Sequence, residues 1–182
     1  MIIKRGTRRL AICFSAWGFV VKLPIPKPVL FFEHCKDGFR IARRMNDWSK
    51  LKRVFWLDEC HDNQLNIRYS VLNGTFQNWK EYRLWRRVRS PFLEPTYFSL
   101  FGLVNIQRYG NELDIEKRAF RSQIHNLTEG TAEGNSHEFF RPSNYSFRDG
   151  TIRMFDYGGG SVEKVIVLYG EAIVKNFDPT ID

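Results

Sequence analysis

A chain of 182 residues with 43% hydrophobic content can bury a core as one globular domain and is too short for two full ones. Aromatics at 15%, including 16 Phe and 5 Trp, exclude intrinsic disorder and predict a core rich in rings. The net charge of +8 favours phosphate, nucleic acid or acidic proteins as partners, and no apolar run is long enough to span a bilayer. Three cysteines, Cys13, Cys35 and Cys60, with no signal-type N-terminus predict a reducing, cytoplasmic setting.

The first pattern is a pair of strands: LAICF, a turn at Ser15-Ala16-Trp17-Gly18, and FVVKLP ending at Pro24. Lys22 sits near the end of the second strand between Val21 and Leu23, so its charge either faces solvent or meets a partner inside a cleft. Pro24, Pro26 and Pro28 then impose an extended segment. Beyond them VLFFEHC reads as a strand, Asp37-Gly38 as a turn, Phe39 to Lys52 as a basic amphipathic helix, and RVFWLDECHDN as a further strand and loop. The cations of this region, from Arg40 to Arg53, allow a nucleic-acid contact but read more simply as a solvated face, because no base-reading motif accompanies them. His34-Cys35 and Cys60-His61 are ligand types for zinc at the wrong spacing. Adjacent strand residues point to opposite faces, whereas paired zinc ligands are usually separated by two to four residues.

A helix follows from Leu72 to Val88, with Trp79, Tyr82, Trp85 and Val88 recurring at three-residue spacing and Asn73 or Thr75 available as a cap. Glu81 lies on it, in helical spacing to nearby arginines. YFSLFGLVNIQRYG predicts two strands broken near Gly102, and Leu113 to Gly130 a helix with Ile115, Ala119, Phe120, Ile124 and Leu127 on one face. The stretch NYSFRDGTIRMFDYG predicts a β-hairpin turning at Asp149-Gly150, which brings Asn144 and Asp156 together at its open end. An amide oxygen and a carboxylate side by side suit Mg²⁺. A last helix covers Val162 to Val174, with Pro179 beyond it.

In this order of elements the chain resembles the protein-kinase-like superfamily, in a minimal or degenerate form such as bacteria and bacteriophages carry. The resemblance rests on a lysine in FVVKLP, Glu81 after a Gln-Asn pair on an αC-type helix, two apolar strands, a helix, Asn144, and Asp156-Tyr157-Gly158 in place of Asp-Phe-Gly. It implies an α+β fold, with an antiparallel N-lobe sheet over about residues 1–110, an insertion at 29–67, and a strongly reduced C-lobe over about 111–182. All of this would lie in one domain, 1–182. It further implies ATP and Mg²⁺ as cofactors in a cleft: Lys22 on the phosphates, Glu81 holding Lys22, Asn144 and Asp156 on the metal, and adenine at the backbone of Gln107 to Tyr109. If the chain is phage-encoded, its setting is the host cytoplasm.

Two departures bear on activity. The region of Gly6 and Gly18 lacks the Gly-rich loop that cradles phosphates in kinases, and residues 134–143 lack the aspartate that accepts the substrate proton. The candidates left in that loop are His137 as a base and Asn135 as an orienting amide. Two readings therefore stand. One is a phosphotransferase without the usual catalytic Asp; the other is a pseudokinase scaffold that binds a host or viral protein partner and does no chemistry.

Overall fold

The computed structural model describes residues 1–6, 8–26, 28–48, 72–133, 139–159 and 162–180. These form a mixed α+β structure with a five-stranded antiparallel sheet, a separate two-stranded hairpin and four α-helices among the described residues. The sheet comprises β1 (Ile2–Arg5), β2 (Arg9–Phe14), β3 (Phe19–Pro24), β4 (Thr96–Leu100) and β5 (Val104–Arg108), in spatial order β1-β2-β3-β5-β4. Strand β1 was not anticipated from MIIKR; all four of its residues are exposed, so it carries no alternation of buried and polar positions to betray it.

The insertion departs from expectation. Helix α1 runs unbroken from Pro28 to Met45, where a strand, a turn and a later helix were expected. Proline suits the first turn of a helix, where its missing N–H would have no partner anyway. Gly38 and Ala42, four residues apart, are both buried and Cys35 is half-buried, so the helical spacing rather than the Asp37-Gly38 pair decides the local structure. His34 and Cys35 are consequently neighbours on a helix. Cys60 and His61 lie outside the described residues, as does the stretch expected to form a further strand and loop.

Helix α2 (Asn73–Val88) lies against the sheet, chiefly β4 and β3, and buries Gly74, Asn78, Glu81 and Leu84. Those positions recur at i, i+4, i+7 and i+10, one face of a helix. Neither Asn73 nor Thr75 caps it through its side chain; the capping position is Leu72. Helix α3 (Lys117–Leu127) begins later than the expected Leu113, because the Glu116 carboxylate accepts from the Ala119 N–H at 2.8 Å and sets its start there. The hairpin β6 (Tyr145–Arg148) and β7 (Thr151–Met154) turns at Asp149-Gly150, both in the left-handed region with φ of 55° and 70°. Helix α4 (Val162–Asn176) packs on β7 and α3.

The main apolar core belongs to the second half of the chain. Phe92, Phe120, Phe139 and Tyr145 stack or tilt against one another, with Phe120 and Tyr145 centroids 4.9 Å apart, and Ile152, Val165, Ile166 and Ile173 close around them. The segment after α2 ties this core to the sheet. Met154 donates its N–H to the Phe92 carbonyl at 2.7 Å, and Glu94 donates to the Met154 carbonyl at 2.9 Å, before the chain enters β4. The backbone following β7 is thereby held at a fixed height beside the sheet. No helix of the described residues is long and apolar enough to cross a membrane.

Candidate functional site

Strand register decides which side chains face the cleft. Ala11 pairs with Lys22 across β2 and β3, and Lys4 pairs with Ala11 across β1 and β2. With a period of two, Lys4, Arg9, Ala11, Cys13, Val20 and Lys22 therefore share one face. On β5, Asn105 and Gln107, the partners of Lys22 and Val20, continue it.

On that face Lys22 is buried and its Nζ donates to Glu81 Oε2 at 2.9 Å, fifty-nine residues away, and to the Phe155 carbonyl at 2.5 Å. Glu81 is fully buried, and its other oxygen, Oε1, accepts from Arg9 Nη1 at 2.5 Å. Arg9 Nη2 donates to Asp156 Oδ1, and Nη1 also lies 3.4 Å from Asn78 Oδ1. The four groups form one chain, Lys22, Glu81, Arg9, Asp156, with cation and carboxylate alternating. Asn78 stiffens it: its amide donates to the Gly102 carbonyl at 2.9 Å, and its own carbonyl accepts from Asn105 Nδ2 at 2.6 Å.

Burial and charge act against each other here. Desolvation drives the Lys22 ammonium below the usual lysine range, against the opposing pull of Glu81, with the nearby Arg9 charge adding to the fall. Desolvation would raise Asp156, yet the charges of Arg9 and Lys22 outweigh it and hold the carboxyl below its usual range. Arg9 stays charged despite its burial, its own pKa raised by Asp156 and Glu81. Arg9 and Asp156 are therefore ionised at neutral pH in the folded protein.

Asp156 is positioned by the hairpin, whose exit is closed by a hydrogen bond from the Phe155 N–H to the Asn144 carbonyl at 3.0 Å. Tyr157 behind it is fully buried. Its hydroxyl donates to the Glu94 carbonyl at 2.7 Å and lies 2.7 Å from Thr96 Oγ1, which also accepts from Gln107 Nε2 at 3.3 Å. A phenylalanine could not complete that chain. Gly158 then passes against α2 so closely that a Cβ would stand 2.7 Å from the Gln77 carbonyl oxygen.

The cavity over this network measures about 620 Å³, and its lining includes Lys4, Arg5, Arg8, Arg9, Lys22, Arg141, Asn144 and Asp156. A smaller recess continues from it, sharing Lys4, Ala11, Lys22 and Phe155, and runs under Cys13 and Val20 to the backbone of Gln107 through Gly110. Beside it Glu94 is a buried carboxylate: Oε1 accepts from Ser146 Oγ at 2.8 Å, Oε2 accepts no hydrogen bond, and Arg108 Nε stands 3.9 Å away. Burial raises the Glu94 carboxyl above its usual range, against the opposing pull of Ser146 and Arg108.

The structure thus brings Lys22, Glu81, Asn144 and Asp156 to one cleft. His137 and Asn135 lie outside the described residues. Arg9, which bridges Glu81 and Asp156, was not singled out in the sequence, because it sits in the cationic run RGTRRL; the strand alternation that links it to Ala11 and Lys22 was the available signal. Among the described residues no group of three or more His, Cys, Asp or Glu side chains is placed to hold a metal. Mg²⁺ is ordinarily held by one or two carboxylates together with substrate phosphates. Here both Glu81 oxygens are bonded to cations and Asp156 Oδ1 is bonded to Arg9, so a divalent ion at Asp156 would lie against a guanidinium. This donor set does not fit a resident Mg²⁺. Comparison with known protein families, curated proteins and solved structures found no match to this chain.

Proposed function

We propose that this chain is a kinase-like nucleotide-binding domain, with ATP as its ligand. The observation that carries the reading is the buried Lys22–Glu81 pair, 2.9 Å apart and linked through Arg9 to Asp156, beside a cation-lined cleft that runs on to Gln107 to Gly110. A buried ion pair is a weak device for stability, since desolvation consumes most of its Coulombic gain, and its presence in a cleft speaks for a functional use. Lys22 and the neighbouring arginines would take the phosphates, and the recess beneath Val20 and Cys13 would take the base. The five-stranded antiparallel sheet with α2 laid against it, and the strand lysine joined to the helix glutamate, support the kinase-like assignment.

A pseudokinase role is favoured over phosphoryl transfer by two observations. Residues 134–143 hold no aspartate to accept a substrate proton, and the Asp156 carboxylate is engaged by Arg9. On this reading the nucleotide stabilises a scaffold that docks a protein partner.

Thermal-shift titration with ATP tests the binding reading, because a ligand that binds only the folded state raises stability by mass action. Wild type is expected to gain several degrees at millimolar ATP, with the gain lost in Lys22→Ala. Absence of any shift would sink the nucleotide reading. Incubation with labelled ATP and loss of label transfer in His137→Ala would reinstate a phosphotransferase.

A further inference from the structure

The disagreement between the expected metal site and the groups that occupy it points beyond simple nucleotide binding. In a kinase-type cleft the cation that bridges the nucleotide phosphates to the aspartate after the hairpin is a divalent metal. In this chain a cation already stands there. Arg9 reaches from β2, with its guanidinium bonded to Asp156 on one nitrogen and to Glu81 on the other, and its side chain is only 11% exposed. We propose that Arg9 takes the place of the metal, and that the cleft binds a nucleoside triphosphate in its metal-free form, with guanidinium groups rather than Mg²⁺ neutralising the phosphates. The inference rests on the nucleotide reading of the same cleft.

Three features carry it. First, the carboxylates are engaged by cations: both Glu81 oxygens bond Arg9 or Lys22 and Asp156 gives Oδ1 to Arg9, so of these four oxygens Asp156 Oδ2 alone is left for a divalent ion, which requires several hard oxygens. Second, the lining is rich in cations. Among the described residues Lys4 is matched by Glu112, and Arg9 and Lys22 by Glu81 and Asp156, so Arg5 and Arg141 leave a positive surplus in the lining for a polyanion. Third, the chain lacks the Gly-rich loop whose backbone amides would cradle phosphates around a metal, and at the equivalent turn it carries Arg5, Arg8 and Arg9. Guanidinium groups present planar, forked donors that match phosphate oxygens in pairs, which an ammonium or a backbone amide does not. Mg²⁺ would withdraw charge from the triphosphate and compete with the same arginines for its oxygens.

The test measures ATP binding to the full chain by calorimetry, once with excess Mg²⁺ and once in EDTA, with inorganic tripolyphosphate and adenosine as companion probes. The expected result is that ATP binds in EDTA at least as tightly as with Mg²⁺, and more tightly than adenosine. In Arg9→Gln binding in EDTA should fall by about tenfold or more, and Mg²⁺ should now improve it, because Asp156 has been released. Arg9→Lys, which keeps one charge but not the fork, should lie between the two. If loss of Arg9 prevents folding, the exposed Arg141→Gln serves instead, with a several-fold loss in EDTA and a smaller one with Mg²⁺. Binding by wild type that requires Mg²⁺ overturns the inference and leaves the nucleotide reading intact. Binding of tripolyphosphate in EDTA equal to that of ATP supports the arginine clamp and sinks the nucleotide reading. Failure of both anions to bind under either condition overturns both.

Discussion

Glu81 gives Oε2 to Lys22 and keeps Oε1 for Arg9, so the helix glutamate is the hub of the cleft and the strand lysine is one of its two spokes. The asymmetry yields a prediction about stability. Lys22→Met leaves Glu81 still compensated by Arg9 and mainly strips the Phe155 carbonyl of its donor, which costs about 1–3 kcal/mol. Glu81→Gln leaves two buried cations facing each other with Asp156, bonded to Arg9, as their nearby acid among the described residues, a loss of about 3–5 kcal/mol. Urea unfolding midpoints of the two variants check the order; equal losses would show that Arg9 does not compensate Glu81.

Tyr157→Phe is expected to destabilise by about 1–2 kcal/mol although the ring still fills its site. The variant removes the donor to the Glu94 carbonyl and breaks the relay from Gln107 through Thr96. Chemical denaturation of wild type and variant measures the loss. A fully neutral substitution would mean that water replaces the hydroxyl without penalty.

Asp156 sets an acid limit. Its folded-state pKa is depressed, so the stability it contributes is present above the unfolded value and disappears as the pH falls through the lower folded value. Wild type should therefore exceed Asp156→Asn by about 2 kcal/mol at neutral pH, and the gap should close only below the ordinary aspartate range. Denaturation curves at a series of pH values trace it; a gap that closes at higher pH would contradict the Arg9 contact.

Glu94 gives the opposite slope. Burial raises its pKa, so the folded state binds a proton the unfolded state has released; the associated stability is full below the unfolded pKa and is lost as pH rises through the folded one. Wild type should weaken over that window, and Glu94→Gln, which cannot ionise, should show no such decline. A parallel pH dependence for the two proteins would indicate that Arg108 fully compensates the carboxylate.

Much of this arrangement was legible in the chain itself. The Asp149-Gly150 turn, the alternation in FVVKLP and the three-residue spacing from Trp79 to Val88 are local signals, and the elements form where those signals lie. Asn144 and Asp156 could be picked out from the open end of the hairpin, whereas Lys22 and Glu81 stood out only through the kinase-like order in which the elements follow one another. Helix α1 was misread because FFEHC has strand-like composition and Asp-Gly is a strong turn pair, whereas burial of Gly38 and Ala42 is a tertiary fact. Arg9 escaped for a different reason. Residues 4, 5, 8 and 9 are all cationic, and only the pairing of β2 with β3 reveals which of them turns toward Glu81. Composition could supply the surplus of charge but not its direction.

The crowding of like charges around Arg9 has a further consequence. Repulsion among those side chains is a strain that the native chain carries whenever nothing sits between them, and multivalent counter-ions relieve it by their charge alone. The protein's resistance to unfolding should accordingly change with the buffer salt chosen, sulfate or phosphate outperforming chloride at equal ionic strength, even before any specific occupant is supplied.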